Sequence, residues 1–512
     1  MNLFGTAGIR GSAAERVTPE LALAVGRAVA AVVCDREPTG GGGDDRERGD
    51  TDVGGATEPV PEVVLARDGR VTGPALAAAM EAGLASGGVA VERAGQLPTP
   101  ALAYASRGRY GVMLTASHNP PTDNGIKLFR DGSEFDRDAE RAVETRVDGE
   151  TPPAAWDEWT DSERVDTLSR YLDAVREYAA GFGADLDGLR IAIDCGNGMS
   201  APATPTVLRE LGAEVVTLNG NIDGHFPGRG SKPTPETLAN LRAFVADAND
   251  ESDGSDMGDS PARGNVSKEE TESFAFGIGH DGDADRIVIV DADGEIVHED
   301  TVLAMLAERY TRESDAADPV VVTTPNASGR IDERVREAGG RVERVRLGAL
   351  HEGIAAVRET AAETGSDDTR VVFAAEPWKH VHVGFGEWID GVASAAVIAQ
   401  LVGDEGLDGL RAPITERPYR KVSVDCPDDA KDDAMTRLET DLPDAFPDAE
   451  VDTDHGVRIE FPDASWVLVR PSGTEPYVRV YAESDAVADV IAEAEAVVEA
   501  AVRAVTDSGD GT

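Results

Sequence analysis

Strand and helix signals alternate through about the first four hundred residues of this chain, which restricts that part to α/β modules built on mixed sheets. Thr18-Pro19-Glu20 supplies an N-cap, a first-turn proline and an acidic first turn for an apolar helix over 21–33. The pattern then predicts strands at 63–66, near Val89 and at 112–116, with helices starting at Thr72 and Thr99. A second module opens with a strand at 189–195 and the turn Gly196-Asn197-Gly198. It continues through helices at 205–211 and 235–245 and ends in a strand at 274–278. A third runs from a helix at 300–309 through strands at 320–323, 342–346 and 371–374. The rhythm then changes. Strands at 420–424, 457–461, 466–469 and 478–481 precede a long helix over 486–505, the pattern of a smaller α+β domain.

A chain of 512 residues exceeds one hydrophobic core. The expected domains are 1–163, 164–297, 298–412 and 413–512, three α/β and one α+β. Segments 35–59 and 247–271 are rich in Gly, Asp, Glu and Ser and read as surface insertions.

Charge narrows the partners. With 48 basic and 97 acidic residues the formal net charge is −49, spread along the chain, which fits surface adaptation to a high-salt cytoplasm. Nucleic acid is not an expected partner, because a phosphate backbone needs a basic face. No apolar run has the length of a membrane span, and Met1-Asn2-Leu3-Phe4-Gly5 does not read as a signal peptide. Cys34, Cys195 and Cys426 are too few and scattered for a disulfide framework. The expectation is a cytoplasmic monomer or homodimer. Lysine occurs only six times, and two of the six, Lys127 and Lys379, fall in candidate loops.

Three loops carry chemistry. Thr115-Ala116-Ser117-His118-Asn119-Pro120 places a serine just past the C-terminal end of a strand, where ligands collect in open α/β sheets. Ala116 and His118 flank Ser117, so the loop does not match the nucleophile elbow G-x-S-x-G. A serine in such a loop needs activation or prior modification. Asn119-Pro120-Pro121 reads as a rigid turn leading to Asp123-Asn124-Gly125-Ile126-Lys127.

Asp281-Gly282-Asp283-Ala284-Asp285-Arg286 offers three carboxylates at alternating positions that converge in an extended or looped chain. Carboxylates that close repel unless a cation sits between them, and oxygen-only ligands suit a hard ion such as Mg²⁺. An EF-hand is excluded by Arg286 and Ala292, which stand where it needs glycine and glutamate. Gly277-Ile278-Gly279-His280-Asp281-Gly282 matches G-x-G-x-x-G, but strand residues 287–290 follow where a dinucleotide site needs a helix. Residues 291–294 read as a hairpin turn. In the third loop, Arg470-Pro471-Ser472-Gly473-Thr474-Glu475-Pro476, Arg470 suits bidentate phosphate binding. Ser472, Gly473 and Thr474 offer hydroxyls and backbone N–H groups, and Arg479 follows.

With Phe4-Gly5-Thr6-Ala7-Gly8-Ile9-Arg10-Gly11 ahead of these loops, four motifs stand in the order seen in the α-D-phosphohexomutases. That family includes phosphoglucomutases, phosphomannomutases and phosphoglucosamine mutases. The chain resembles it along nearly its whole length apart from the two insertions, in a form of archaeal type. The resemblance implies four domains around one cleft and a Ser117 that rests as phosphoserine. It implies Mg²⁺ held by Asp281, Asp283, Asp285 and an oxygen of phospho-Ser117, with a sugar bisphosphate as activator. Lys127 matches a lysine associated with acid/base work, and Arg10 and Arg286 match arginines near the transferred group. His118 stands beside Ser117 among the catalytic candidates. Arg470, Ser472, Gly473 and Thr474 match the loop that grips the phosphate not being transferred, with Arg479 close by.

One loop departs from the family. Where it reads Gly-Glu-x-Ser-Gly-His, this chain has Ala375-Glu376-Pro377-Trp378-Lys379-His380. Glu376 and His380 match the residues of sugar-hydroxyl recognition. Trp378 and Lys379 replace small residues and add an aromatic face and a charge where the sugar is expected to lie. The expected reaction interconverts sugar 1- and 6-phosphates, with glucosamine, mannose or glucose as the sugar. A phosphopentomutase of the same family, a serine-dependent sugar phosphatase and a non-catalytic sugar-phosphate binder remain as alternatives.

Overall fold

The computed structural model describes residues 3–5, 8–35, 60–183, 185–253, 273–366, 368–472 and 475–509. Nearly all of the insertion at 35–59 and most of 247–271 lie outside them, as do Thr6, Ala7, Gly473 and Thr474. The chain forms two compact units, 1–296 with 385–404, and 297–384 with 405–512. Segment 385–404, placed by the sequence reading inside the third domain, thus packs within the first unit.

The first unit holds two mixed sheets. One contains β1 (Ile9–Ser12), β2 (Glu62–Arg67), β3 (Ala90–Gln96), β4 (Tyr110–Leu114), β5 (Asp123–Arg130), β6 (Ser133–Glu134) and β7 (Ser162–Arg164). Its order is β1-β5-β4-β2-β3-β7, with β6 paired to β5. β2, β3, β4 and β7 are parallel, while β5 runs antiparallel to both β4 and β1. The second sheet joins β8 (Arg190–Asp194), β9 (Glu214–Leu218), β10 (Phe276–His280) and β11 (Ile287–Val290) in the order β11-β10-β8-β9. Here β8, β9 and β10 are parallel, and β11 returns antiparallel.

The second unit repeats the mixed plan with β12 (Asp318–Thr323), β13 (Arg341–Arg344), β14 (Thr369–Glu376) and β15 (Lys379–Val381), ordered β13-β12-β14-β15. β12, β13 and β14 are parallel, and β15 closes an antiparallel hairpin with β14. Its other sheet is wholly antiparallel: β16 (Tyr419–Asp425), β17 (Glu450–Asp452), β18 (Val457–Glu460), β19 (Trp466–Pro471) and β20 (Tyr477–Glu483), ordered β16-β20-β19-β18-β17. Helices Lys431–Ala445 and Val487–Gly509 bury Leu438, Leu442, Ile491, Ala494 and Val498 against Val467, Val469, Val478 and Val480. Three mixed α/β sheets and one antiparallel α+β layer are the fold class expected.

Element types agree with the sequence reading where periodicity is strong, and two differences bear on the site. Helix Ala239–Asp253 starts later than the expected 235, after a turn in which Thr237 Oγ1 accepts from the Thr234 N–H. The segment around Lys127, read as a loop, is strand β5 instead. Ile126 and Leu128 are buried in the core with Val63, Leu65, Val112 and Leu114, which fixes the register. Pairing on both edges makes this an inner strand, so Lys127 is itself buried.

Candidate functional site

Parallel pairing decides which loops meet. β2 and β4 are parallel neighbours, so the residues following each, Asp68–Arg70 and Thr115–Ser117, emerge side by side at one sheet end. Ser117 is fully buried and takes φ +52, a left-handed backbone that costs a non-glycine residue about 1–2 kcal/mol. Its Oγ donates to Asp281 Oδ2 at 2.9 Å and lies 3.2 Å from His118 Nδ1. Gly282 makes the approach of the two loops possible, because a Cβ there would stand 2.6 Å from the Ser117 carbonyl oxygen.

The three aspartates converge as their spacing predicts. Asp281, Asp283 and Asp285 are all buried, each offering a carboxylate oxygen within 4.8 Å of the others. Thr99 donates to Asp283 Oδ2 at 2.7 Å, whereas Asp283 Oδ1 is buried without a hydrogen-bond partner. Lys127 Nζ lies 3.1 Å from Asp285, 3.5 Å from Asp283 and 3.7 Å from Glu134. Arg286 Nε is 3.8 Å from both Asp281 and Asp285. Burial, followed by repulsion from Asp285 and Asp283, pushes the Asp281 carboxyl well above its usual range. A bare buried oxygen among three carboxylates fits a hard cation, and the donor set is entirely oxygen.

Cations beside the aspartates divide the proton chemistry. Burial alone would lower the Lys127 pKa, but attraction to Asp285 and Asp283 outweighs it and raises the value, so the residue is an ammonium. His118 moves the other way. Burial first, then Arg286 and Arg10, depress its ring to about 4, so it is neutral at ordinary pH. Arg10 pairs in register with Gly125 across β1 and β5, and its charge acts on both His118 and Lys127. Ser117, His118, Lys127, Arg10, Arg286 and the aspartates thus share one locality within the first unit.

Residues of the second unit form two further groups. Glu376 and Lys379 face each other across the β14–β15 hairpin and pair at 3.1 Å, and Glu376 also accepts from the Gly348 N–H. Lys379 therefore brings no net charge to the loop: it neutralises Glu376, because register places them on the same face. Trp378 occupies the turn at φ +68, a conformation that favours glycine. His380 pairs in register with Ala375, on the opposite face from Glu376, and packs buried against Phe373 and His382. Burial lowers its ring to about 3.

In the other group, Arg470 and Arg479 lie directly opposite each other on β19 and β20. Arg470 donates to Tyr481 Oη at 3.1 Å, and Arg479 contacts Glu475 at 3.1 Å and Tyr477 Oη at 2.9 Å. Like charges set opposite are destabilising unless an anion joins them. The Ser472 N–H donates to the Tyr477 carbonyl, while Gly473 and Thr474 lie outside the described residues.

Several residues that hold these loops carry no motif signal. Arg70 is 1% exposed and bonds to the Ser117, Asn119, Pro120 and Asp123 carbonyls as well as to Asp68. Arg229 plays a similar part beside the aspartates, donating to the His280 and Asp194 carbonyls. Lys431 donates to the Ser472 carbonyl at 2.7 Å and the Glu475 carbonyl at 2.6 Å. For Arg70 one sequence cue exists: Asp68-Gly69-Arg70 directly follows a strand, as a ligand loop would. For Lys431 there is none beyond the rarity of lysine.

Comparison with known proteins matches this arrangement to a family. Models described as phosphoglucomutase/phosphomannomutase alpha/beta/alpha domain I, alpha/beta/alpha domain II and C-terminal domain match residues 52–153, 169–294 and 422–500. A phosphopentomutase of Thermococcus kodakarensis is 38% identical over 491 residues, covering 94% of each chain. A probable phosphoglucosamine mutase of Methanopyrus kandleri is 39% identical over 492 residues, again covering 94% of each. Among solved structures, a phosphoglucomutase/phosphomannomutase family protein of Burkholderia thailandensis has the same fold. Its TM-score is 0.71 at 24% identity, covering 98% of this chain and 97% of that one. Among the described residues no helix is long and apolar enough to cross a membrane. The chain belongs to the phosphoglucomutase/phosphomannomutase family, the α-D-phosphohexomutases, and is a phosphosugar mutase, an isomerase.

Proposed function

We propose that this mutase interconverts sugar 1- and 6-phosphates through a phosphoserine at Ser117 and a sugar bisphosphate intermediate. The observation that carries the reading is Ser117 Oγ lying 2.9 Å from Asp281, at the edge of a buried trio of carboxylates. Asp281, Asp283, Asp285 and an oxygen of phosphorylated Ser117 are the ligands we assign to Mg²⁺. Bound there, the ion supplies positive charge to the phosphoryl group in flight.

The remaining steps belong to the chain. The ester bond between Ser117 Oγ and phosphorus breaks as a sugar hydroxyl forms its own bond to phosphorus. Neutral His118 is the assigned acceptor of the hydroxyl proton, and the Lys127 ammonium the donor to the departing serine oxygen. Arg10 and Arg286 stabilise the oxygens of the moving group by charge. The bisphosphate then returns its other phosphate to Ser117, and added sugar bisphosphate serves as activator by phosphorylating resting enzyme. Arg470 and Arg479, with Ser472, Gly473 and Thr474, are assigned to the phosphate that stays behind; the opposed arginines support an anion there.

Incubation with labelled sugar bisphosphate followed by intact-mass analysis tests this reading. An ester on Ser117 is expected in the wild type, and Ser117→Ala should lack both the ester and turnover. Near-normal turnover in that variant would exclude the covalent route.

Hexose phosphates, glucosamine phosphate included, are the proposed substrates. Ribose phosphate is the second reading, favoured by the altered loop: Trp378 in a left-handed turn and Lys379 paired to Glu376. Glu376 with Lys379 would meet the sugar hydroxyls as a neutral donor–acceptor pair, with Trp378 beside them and His380 supporting the hairpin from its buried face. A panel of glucose, mannose, glucosamine and ribose phosphates, assayed in high KCl, discriminates these. The same ranking after Trp378→Ser with Lys379→Gly would remove the loop from substrate choice.

A further inference from the structure

The backbone of Ser117 is held at both ends by one buried ion pair. Its N–H donates to Thr115 Oγ1 at 2.8 Å, and the Thr115 hydroxyl donates to Asp68 Oδ2 at 2.7 Å. Asp68 accepts from Arg70 Nε at 3.0 Å, and Arg70 Nη2 donates to the Ser117 carbonyl at 2.8 Å. The circuit therefore closes on the residue where it began. From the same guanidinium, Nη2 also reaches the Asn119 carbonyl at 2.8 Å, and Nη1 reaches those of Pro120 and Asp123 at 2.6 and 2.9 Å. Asp68 is anchored in turn by the Arg70 backbone N–H at 2.9 Å, and the ring of Phe226 lies 5.3 Å from the guanidinium carbon.

We infer that the Asp68–Arg70 pair is a positioning device for phosphoryl transfer: it holds Ser117 in its left-handed conformation and thereby aims Oγ at the aspartates. This rests on the phosphoserine reading. Three physical points carry it. The Ser117 conformation is intrinsically unfavourable, so surrounding bonds must over-determine it. Four carbonyls of one loop converge on a single planar fork, an arrangement that the three donors of an ammonium cannot reproduce. Both residues are 1% exposed, and the guanidinium donates to carbonyls and Asp68 rather than facing solvent. Neither residue needs to touch substrate. In-line transfer is sensitive to placement, and a displacement of about 1 Å costs roughly 100-fold in rate.

Arg70→Lys and Thr115→Val break the circuit at different links. The first keeps the charge and loses the fork. The second is nearly isosteric and removes only the relay to the Ser117 N–H, so it decides the matter should Arg70→Lys fail to fold. Measured on a sugar phosphate with bisphosphate activator, Arg70→Lys should lower kcat about 100-fold and Thr115→Val about 10-fold, with KM within about 3-fold of wild type. A merely structural role would instead lower melting temperature without this selective loss of kcat. If wild-type enzyme carries the Ser117 ester and the folded variants keep wild-type kcat, or lose activity only through KM, the inference is overturned alone. If wild-type enzyme never carries the ester, the phosphoserine reading fails and takes this inference with it.

Discussion

Lys127 Nζ lies 3.1 Å from Asp285 and 3.5 Å from Asp283, so a buried ammonium shares the carboxylates assigned to the metal. Its position on an inner strand, flanked by core residues Ile126 and Leu128, leaves it buried. The aspartates assigned to the metal also keep the lysine protonated. That suits a proton donor rather than a base in the resting enzyme.

Lys127→Met keeps the length of the side chain and removes the proton. The expected loss in kcat is about 10²–10⁴-fold, the range for a positioned general acid or base. Steady-state kinetics check it, with near-ultraviolet circular dichroism to establish that the variant is folded. A loss of less than about threefold would remove Lys127 from the acid role, on the same scale.

Lys431 supports the loop assigned to phosphate from outside the motif. Its ammonium bonds to the Ser472 and Glu475 carbonyls, which bracket the two residues whose N–H groups are assigned to phosphate. Lys431→Met should raise KM for sugar phosphate about 10-fold, equivalent to about 1.4 kcal/mol, with kcat little changed. Calorimetric titration with the sugar phosphate measures the same change as a weaker Kd. Unaltered affinity would show that the loop keeps its shape without the lysine.

Asp300 makes stability depend on pH in an unusual direction for a carboxylate. Burial, reinforced by Glu299 and opposed by Arg330, pushes its pKa up to about 8 from the ordinary 3.8. Between those two values the folded protein binds a proton that the unfolded chain releases, so stability should fall as pH rises through that window. Asp300→Asn supplies a neutral side chain of the same shape and should flatten this slope. Urea midpoints at pH 5 and pH 8 for both proteins provide the check. Equal slopes would mean that Asp300 is ionised in the folded state.

Much of the site can be read from residues alone because its chemistry is local in sequence. Asp281, Asp283 and Asp285 alternate within five residues, so any extended or turning path brings them close. Ser117 follows a strand whose apolar run is plain, and Arg470 and Arg479 flank an evident hairpin. Lys127 is harder to place. Asn124 and Gly125 suggest a turn by composition, and only pairing with β1 and β4 makes the segment a strand. Lys379 reads as an added charge in the sequence, whereas hairpin register sets it against Glu376.

The sequence alone determined the order of the modules, the switch to an antiparallel last layer, and which loops carry a hydroxyl, three carboxylates or an arginine beside small polar residues. Those features follow from periodicity and from neighbours a few residues apart. Tertiary structure decided that Arg70 would close a circuit around Ser117, that Lys127 would share the aspartates, and that Lys431 would bond to the Ser472 and Glu475 carbonyls. These contacts join residues 47, 158 and 41 positions apart. No local pattern encodes them. The first arises because parallel neighbours β2 and β4 deliver both loops to the same sheet end, and the other two because a buried charge must find its partner wherever packing brings one within reach.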